Sequence, residues 1–161
     1  MAKLAIFLAL CLLPALALAN RPLRRPLVLH GQVYCDTCLA GFETSASNYI
    51  AGAKVKVECR DRNTMELLYS KEGKTDSTGT YKISINEDHE NQLCDALLVS
   101  SPQGDCSTVS PGRERTRVIL TNYNGIASEN RFANAMGFTM KEPAAGCADV
   151  LKQYQEFDNE N

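Results

Sequence analysis

Between Ala53 and Arg60 the chain alternates without error: Ala53, Val55, Val57 and Cys59 face one way, and Lys54, Lys56, Glu58 and Arg60 the other. "TYKISIN" repeats the pattern with Tyr81, Ile83 and Ile85. Successive side chains of a strand point to opposite faces, so a period of two predicts a sheet with one buried and one wet face. Five further runs read as strands: Leu27–Tyr34, Glu66–Ser70, Cys94–Ser100, Thr116–Thr121 and Ala135–Lys141. Gly, Pro, Asn and Ser punctuate the intervals between them. The expectation is an all-β domain, a seven-stranded antiparallel barrel or sandwich. No segment before residue 146 sustains a helical period. After Cys147, Val150, Leu151, Tyr154 and Phe157 line one face of a short C-terminal helix.

"TDSTGTY", Thr75 to Tyr81, joins two of these strands. Asp76 suits a turn because its carboxylate accepts backbone N–H bonds, and Gly79 because it takes positive φ at no steric cost. A calcium loop would need about 6–8 oxygen ligands, more than this stretch offers, so it reads as a plain turn.

The first residues follow a different pattern. Lys3 precedes an apolar run from Leu4 to Leu13, and Ala17-Leu18-Ala19 places small residues around a cleavage site. The run is short of the roughly 20 residues that span a bilayer, and reads as a secretory signal. The expected organisation is a signal peptide at 1–19, an exposed basic Pro-containing segment at 20–27, one β domain at 28–150 and an acidic C-terminal tail at 151–161. No later stretch is apolar enough to span a membrane.

Removing the signal takes Cys11 with it and leaves Cys35, Cys38, Cys59, Cys94, Cys106 and Cys147. An even set in a secreted chain reads as a disulfide framework whose connectivity counting leaves open. Net charge is −2, without the basic surplus that nucleic acid or an anionic membrane surface attracts.

Several chemistries compete for the remaining polar residues. Cys35-x-x-Cys38 has zinc spacing, but a structural site needs a second ligand pair, and the only histidines are His30 and His89. A redox dithiol opens a helix after a buried parallel strand, whereas this pair sits in an all-β context. No G-x-S-x-G or H-E-x-x-H occurs, so neither hydrolase nor metalloprotease machinery is expected. Glu87, Asp88 and Glu90 surround His89 in "NEDHEN", which reads as a solvated loop tip. Arg113, Arg115 and Arg117 lie two apart and would share one face of a strand, a candidate contact for an anionic partner or simply an exposed edge. No cofactor or metal is expected.

"GQVYCDTC", Gly31 to Cys38, together with the six cysteines, "IAGAKVKVEC" and "TDSTGTY", resembles the signature of the olive pollen major allergen (Ole e I) family of secreted plant proteins. The resemblance covers residues 28 to 150. It departs at His30, where the family carries an acidic, amide or Thr residue, and at Leu39, where it carries a basic one. The resemblance implies three disulfides, Cys35–Cys106, Cys38–Cys147 and Cys59–Cys94. It implies a non-enzymatic, often allergenic extracellular protein of the plant cell wall, with roles in pollen or pollen-tube growth. The expected mode of action is surface recognition of an extracellular protein or wall component by a monomer. Rival readings are a small-ligand carrier using the barrel interior and a wall-polysaccharide hydrolase using paired carboxylates.

Overall fold

The computed structural model describes residues 26–158, with side chains through residue 155. The expected signal peptide, residues 20–25 of the basic segment, the Phe157 side chain and the last three residues of the tail lie outside this description. Among the described residues there are ten strands and one helix. In order they are β1 (Leu27–Asp36), β2 (Asn48–Tyr49), β3 (Lys54–Asp61), β4 (Leu67–Lys74), β5 (Thr80–Ile85), β6 (Gln92–Ser100), β7 (Thr108–Val109), β8 (Arg115–Val118), β9 (Asn130–Phe132), β10 (Met136–Thr139) and α1 (Cys147–Asp158).

The strands form two sheets. Four of them run in the order β4-β3-β6-β8, all antiparallel. The other six gather around β1, which changes neighbours along its length. Its first half, Leu27 to Gln32, lies between β5 and β9, and its second half between β2 and β10. The facing sides of the sheets supply the core: Leu27, Leu29 and Val33 of β1, Ile83 and Ile85 of β5, Val55 and Val57 of β3, Ala96 of β6, and Met136 and Phe138 of β10. The perfect alternation of β3 and β5 is explained by these positions, since every second residue enters the core.

Three expectations are corrected. The strand count is ten rather than seven, because β2, β7 and β9 are two or three residues long and too short to show a period. The sheets are not purely antiparallel: β9 and β10 run parallel to β1, brought there by the long connection after β8, which leaves no local signal. They also do not close into a barrel, since β4 and β8 remain edges. Strand limits shift by a few residues as well; β8 ends the Thr116–Thr121 run at Val118, and β4 carries the Glu66–Ser70 run on to Lys74.

Three disulfides cross-link the domain. Cys35–Cys106 ties the centre of the six-stranded sheet to the loop before β7, and Cys38–Cys147 ties the loop after β1 to the start of α1. Cys59–Cys94 joins directly opposed residues of β3 and β6. Cys35 and Cys38 therefore diverge to distant partners.

The turn at Asp76 is built as a turn. Its Oδ1 accepts from the backbone N–H groups of Thr78 and Thr80 and from the Thr78 hydroxyl, and Gly79 has φ +71°. Those bonds hold the Asp76 carboxyl below its usual range, the Thr78 hydroxyl contributing most. Beside it, the buried Thr75 hydroxyl donates to Ile50 O at 2.6 Å and accepts from Ala53 N at 2.9 Å.

Candidate interaction surface

The outer face of the four-stranded sheet is a lattice of charge. Glu58 on β3 stands opposite Asp95 on β6, and Asp95 opposite Arg117 on β8. Two carboxylates directly across a strand pair repel, so each recruits cations. Lys56 Nζ lies 2.5 Å from Glu58 Oε1, and Arg60 Nη2 lies 2.9 Å from Glu58 Oε2. Lys56 and Arg60 hold the Glu58 carboxyl below its usual range against the opposing effect of burial. Arg117 Nε donates to Asp95 Oδ1 at 2.6 Å, and Arg115 pairs with the other oxygen. Burial pushes the Asp95 carboxyl up, and the hydrogen bonds from Arg117 and Arg115 override it and hold it low. Four cations thus surround two carboxylates, and Arg115 and Arg117 keep about half of their side-chain surface in water.

The expected row of three arginines is corrected at Arg113. Gly112 takes a positive φ and Arg113 closes a turn onto Ser110 before β8 begins, so its guanidinium points elsewhere and donates to Gly41 O at 3.0 Å. Arg115 and Arg117 alone share the strand face.

Beyond Arg117, the edge of β8 and the edge of β9 enclose a groove of about 440 Å³ lined by Val118, Ile119, Ile126, Asn130, Arg131 and Phe132, with Arg117 at its rim. Ile119 is 60%, Ile126 50% and Phe132 78% exposed. The floor is held by Arg131, a buried arginine that donates to the carbonyls of Ser128, Asn130 and Thr121. Its Nε has no hydrogen-bond partner among the described residues. Arg131 thus pins the long connection between β8 and β9.

The loop after β1 carries the most specific local design. Asp36 is buried, and its carboxylate accepts from the backbone N–H groups of Cys38 and Ala40 at 3.1 Å and of Gly41 at 2.8 Å. Leu39 is carried into the left-handed region at φ 55°. One aspartate between two half-cystines therefore organises the turn that sends them apart.

Residues 25–155 match the family described as pollen protein Ole e 1 like. The chain belongs to that family. It is 42% identical to the pollen-specific protein C13 of Zea mays over 157 residues, covering 98% of this chain and 92% of the relative. It is 45% identical to the protein DOWNSTREAM OF FLC of Arabidopsis thaliana over 145 residues, with 90% and 88% covered. The crystal structure of the major plantain pollen allergen Pla l 1 superposes with a TM-score of 0.68 at 30% identity, over 76% of this chain and 99% of that one. This plant protein is thus a disulfide-bonded member of a family of pollen proteins and allergens.

Of the two departures from the Ole e 1-like signature, the one at His30 has a local use here. His30 Nε2 lies 2.9 Å from Asn130 Oδ1, and its ring stacks on Phe132 at 5.4 Å, so it steadies the wall of the groove. Leu39 is exposed at the tip of the Asp36 turn.

The solvated-tip reading of "NEDHEN" holds for Asn86, Glu87, Glu90 and Asn91, which are exposed, and is corrected at His89. His89 is buried, with its ring 4.6 Å from that of Tyr69 and Nδ1 3.0 Å from Gln92 Oε1. Asp88 accepts from the Thr121 hydroxyl and the Asn122 backbone, which bolts the segment after β8 to this loop. Sequence reading missed Asp36, Arg131 and Phe132 as organising residues. Only the position of Asp36 between two cysteines offered a signal; the other two sit on β9, which is three residues long and too short to show a period. Among the described residues no helix is long and apolar enough to cross a membrane.

Proposed function

We propose that this protein is secreted and acts without catalysis, recognising an extracellular protein or wall component during pollen or pollen-tube growth. The observation that carries the reading is the groove, where Ile119, Ile126 and Phe132 stand in water beside Arg117. Contiguous exposed apolar side chains rimmed by charge are the surface that a protein partner covers. The surplus of cation on the neighbouring sheet face favours an acidic partner and a salt-sensitive encounter. The two carboxylates of that face are held ionised by their cations, which suits a recognition surface and not a proton donor.

Two experiments test this. Full-length chain carrying a C-terminal tag, expressed in plant cells, should appear in the medium with an N-terminus near Asn20. Labelled mature chain should decorate the surface of germinating pollen in low salt, and the double variant Arg117→Ser, Phe132→Ser should lose that staining while keeping its melting temperature. Equal staining by the variant would remove the groove from the proposal; retention of Met1 in secreted material would remove the signal.

A further inference from the structure

Cys59, His89 and Cys94 form a buried cluster in which one ring nitrogen of His89 and both sulfurs lie within 4.8 Å of one another. The two cysteines are bridged, and they are direct register partners on β3 and β6. His89 is 3% exposed. Its Nδ1 is engaged by Gln92, but its Nε2 is buried with no hydrogen-bond partner among the described residues. A neutral imidazole carries one donor and one acceptor nitrogen, and both are normally satisfied when buried. The backbone of His89 is fixed on both sides: its N–H donates to Leu120 O and its carbonyl accepts from Gln92 N. A cavity of about 310 Å³, lined by His89, Gln92, Cys94, Arg117, Leu120 and Thr121, leads to the cluster.

We propose that reduction of the Cys59–Cys94 bridge turns this cluster into a binding site for a thiophilic cation, Zn²⁺ or Cu⁺, held by the two thiolates and His89 Nε2. Two thiolates and an imidazole suit these ions. Metal–sulfur bonds of about 2.3 Å and metal–nitrogen bonds of about 2.0 Å place the ligand atoms roughly 3.5–3.8 Å apart. The antiparallel pairing of β3 with β6 keeps the cysteines opposed after the bridge opens, so side-chain rotation alone brings the three atoms to that spacing. The reductant is a dithiol. It gives up two electrons and two protons and becomes a disulfide, while the Cys59–Cys94 sulfur–sulfur bond breaks to two thiols. A cation then displaces the two thiol protons to solvent and takes the free Nε2 electron pair, leaving one coordination position open on Zn²⁺.

The test uses the mature chain with its native sequence. It is reduced with a phosphine without oxygen, divided into portions with ZnCl₂ or with EDTA, and alkylated with iodoacetamide before peptide mapping. Zn²⁺ should slow modification of Cys59 and Cys94 at least about tenfold, leaving Cys35, Cys38, Cys106 and Cys147 equally reactive in both portions. His89→Gln, verified to form its three bridges when oxidised, should lose the protection. A measurement that needs no variant stands beside it: the ¹⁵N shift of the His89 ring should move on zinc addition in the reduced chain, with His30, the other histidine, unmoved. Equal alkylation of Cys59 and Cys94 with and without metal would overturn the site. Protection spread over all six cysteines, an unfolded reduced chain in the presence of Zn²⁺, or an unmoved His89 ring would do the same and leave His89 as packing against the disulfide.

Discussion

The ring of Tyr81 occupies the space in which a side chain at Gly31 would begin. The two are register partners on β5 and β1, and a Cβ built at Gly31 falls on the phenol end of the tyrosine. Gly137 and Tyr34 repeat the arrangement on β10 and β1, where an added Cβ would lie 2.7 Å from Tyr34 Cζ. In each pair the missing side chain makes room for a buried aromatic ring, so both glycines are packing residues. Gly31→Ala should destabilise the domain by about 1–3 kcal/mol through overpacking. In a double-mutant cycle with Tyr81→Leu, measured by urea denaturation, the two effects should be strongly non-additive. Additive losses would show that the ring and the methyl never compete.

Asp95 predicts a pH dependence. Its carboxyl is held below the usual range in the folded protein, by Arg117 and Arg115 acting against burial. A group with a depressed folded value contributes stability that is complete above its unfolded value, near about pH 4, and is lost as pH falls through the folded value. The unfolding free energy should therefore decline below about pH 4. Asp95→Asn should remove that part of the decline and cost about 1–3 kcal/mol at neutral pH, because two arginines lose their shared acceptor. An unchanged acid profile in the variant would assign the decline to other carboxylates.

Cys38–Cys147 is the covalent tether of α1, whose first residue is Cys147. Tyr154 of the helix meets Phe42 of the body edge-on, with ring centroids 5.1 Å apart. Replacing both cysteines with Ala should cost about 2–5 kcal/mol. Hydrogen exchange should accelerate in 147–158 while β3 and β6 keep their protection. Uniform acceleration across the sheets would mean that this bridge stabilises the whole domain and not the helix alone.

Thr75 gives a sharper local test. Thr75→Val keeps the shape and deletes a hydroxyl that both donates to Ile50 O and accepts from Ala53 N. Leaving those two backbone groups unpaired in a buried site should cost about 1–3 kcal/mol. Thr75→Ser should restore most of it. A Val variant as stable as the parent would show that the backbone finds other partners.

What the sequence determined by itself is whatever repeats within one strand or one turn. The faces of β3 and β5 follow from a period of two, because alternate side chains of any strand separate into core and solvent. The Asp76 turn was legible because an aspartate two residues before a threonine and three before a glycine bonds its own backbone. Tertiary structure alone decided the rest. The parallel seating of β9 and β10 beside β1 and the change of neighbours halfway along β1 depend on partners about 100 residues away. Arg113, Arg115 and Arg117 look equivalent as a spaced triplet, yet the turn at Gly112 removes the first, and Asp95, twenty residues or more upstream, claims the other two. His89 looked wet among its acidic neighbours and is buried because Tyr69 and the Cys59–Cys94 bridge close over it. Burial is a property of what packs against a residue, and no window of sequence around His89 contains those partners.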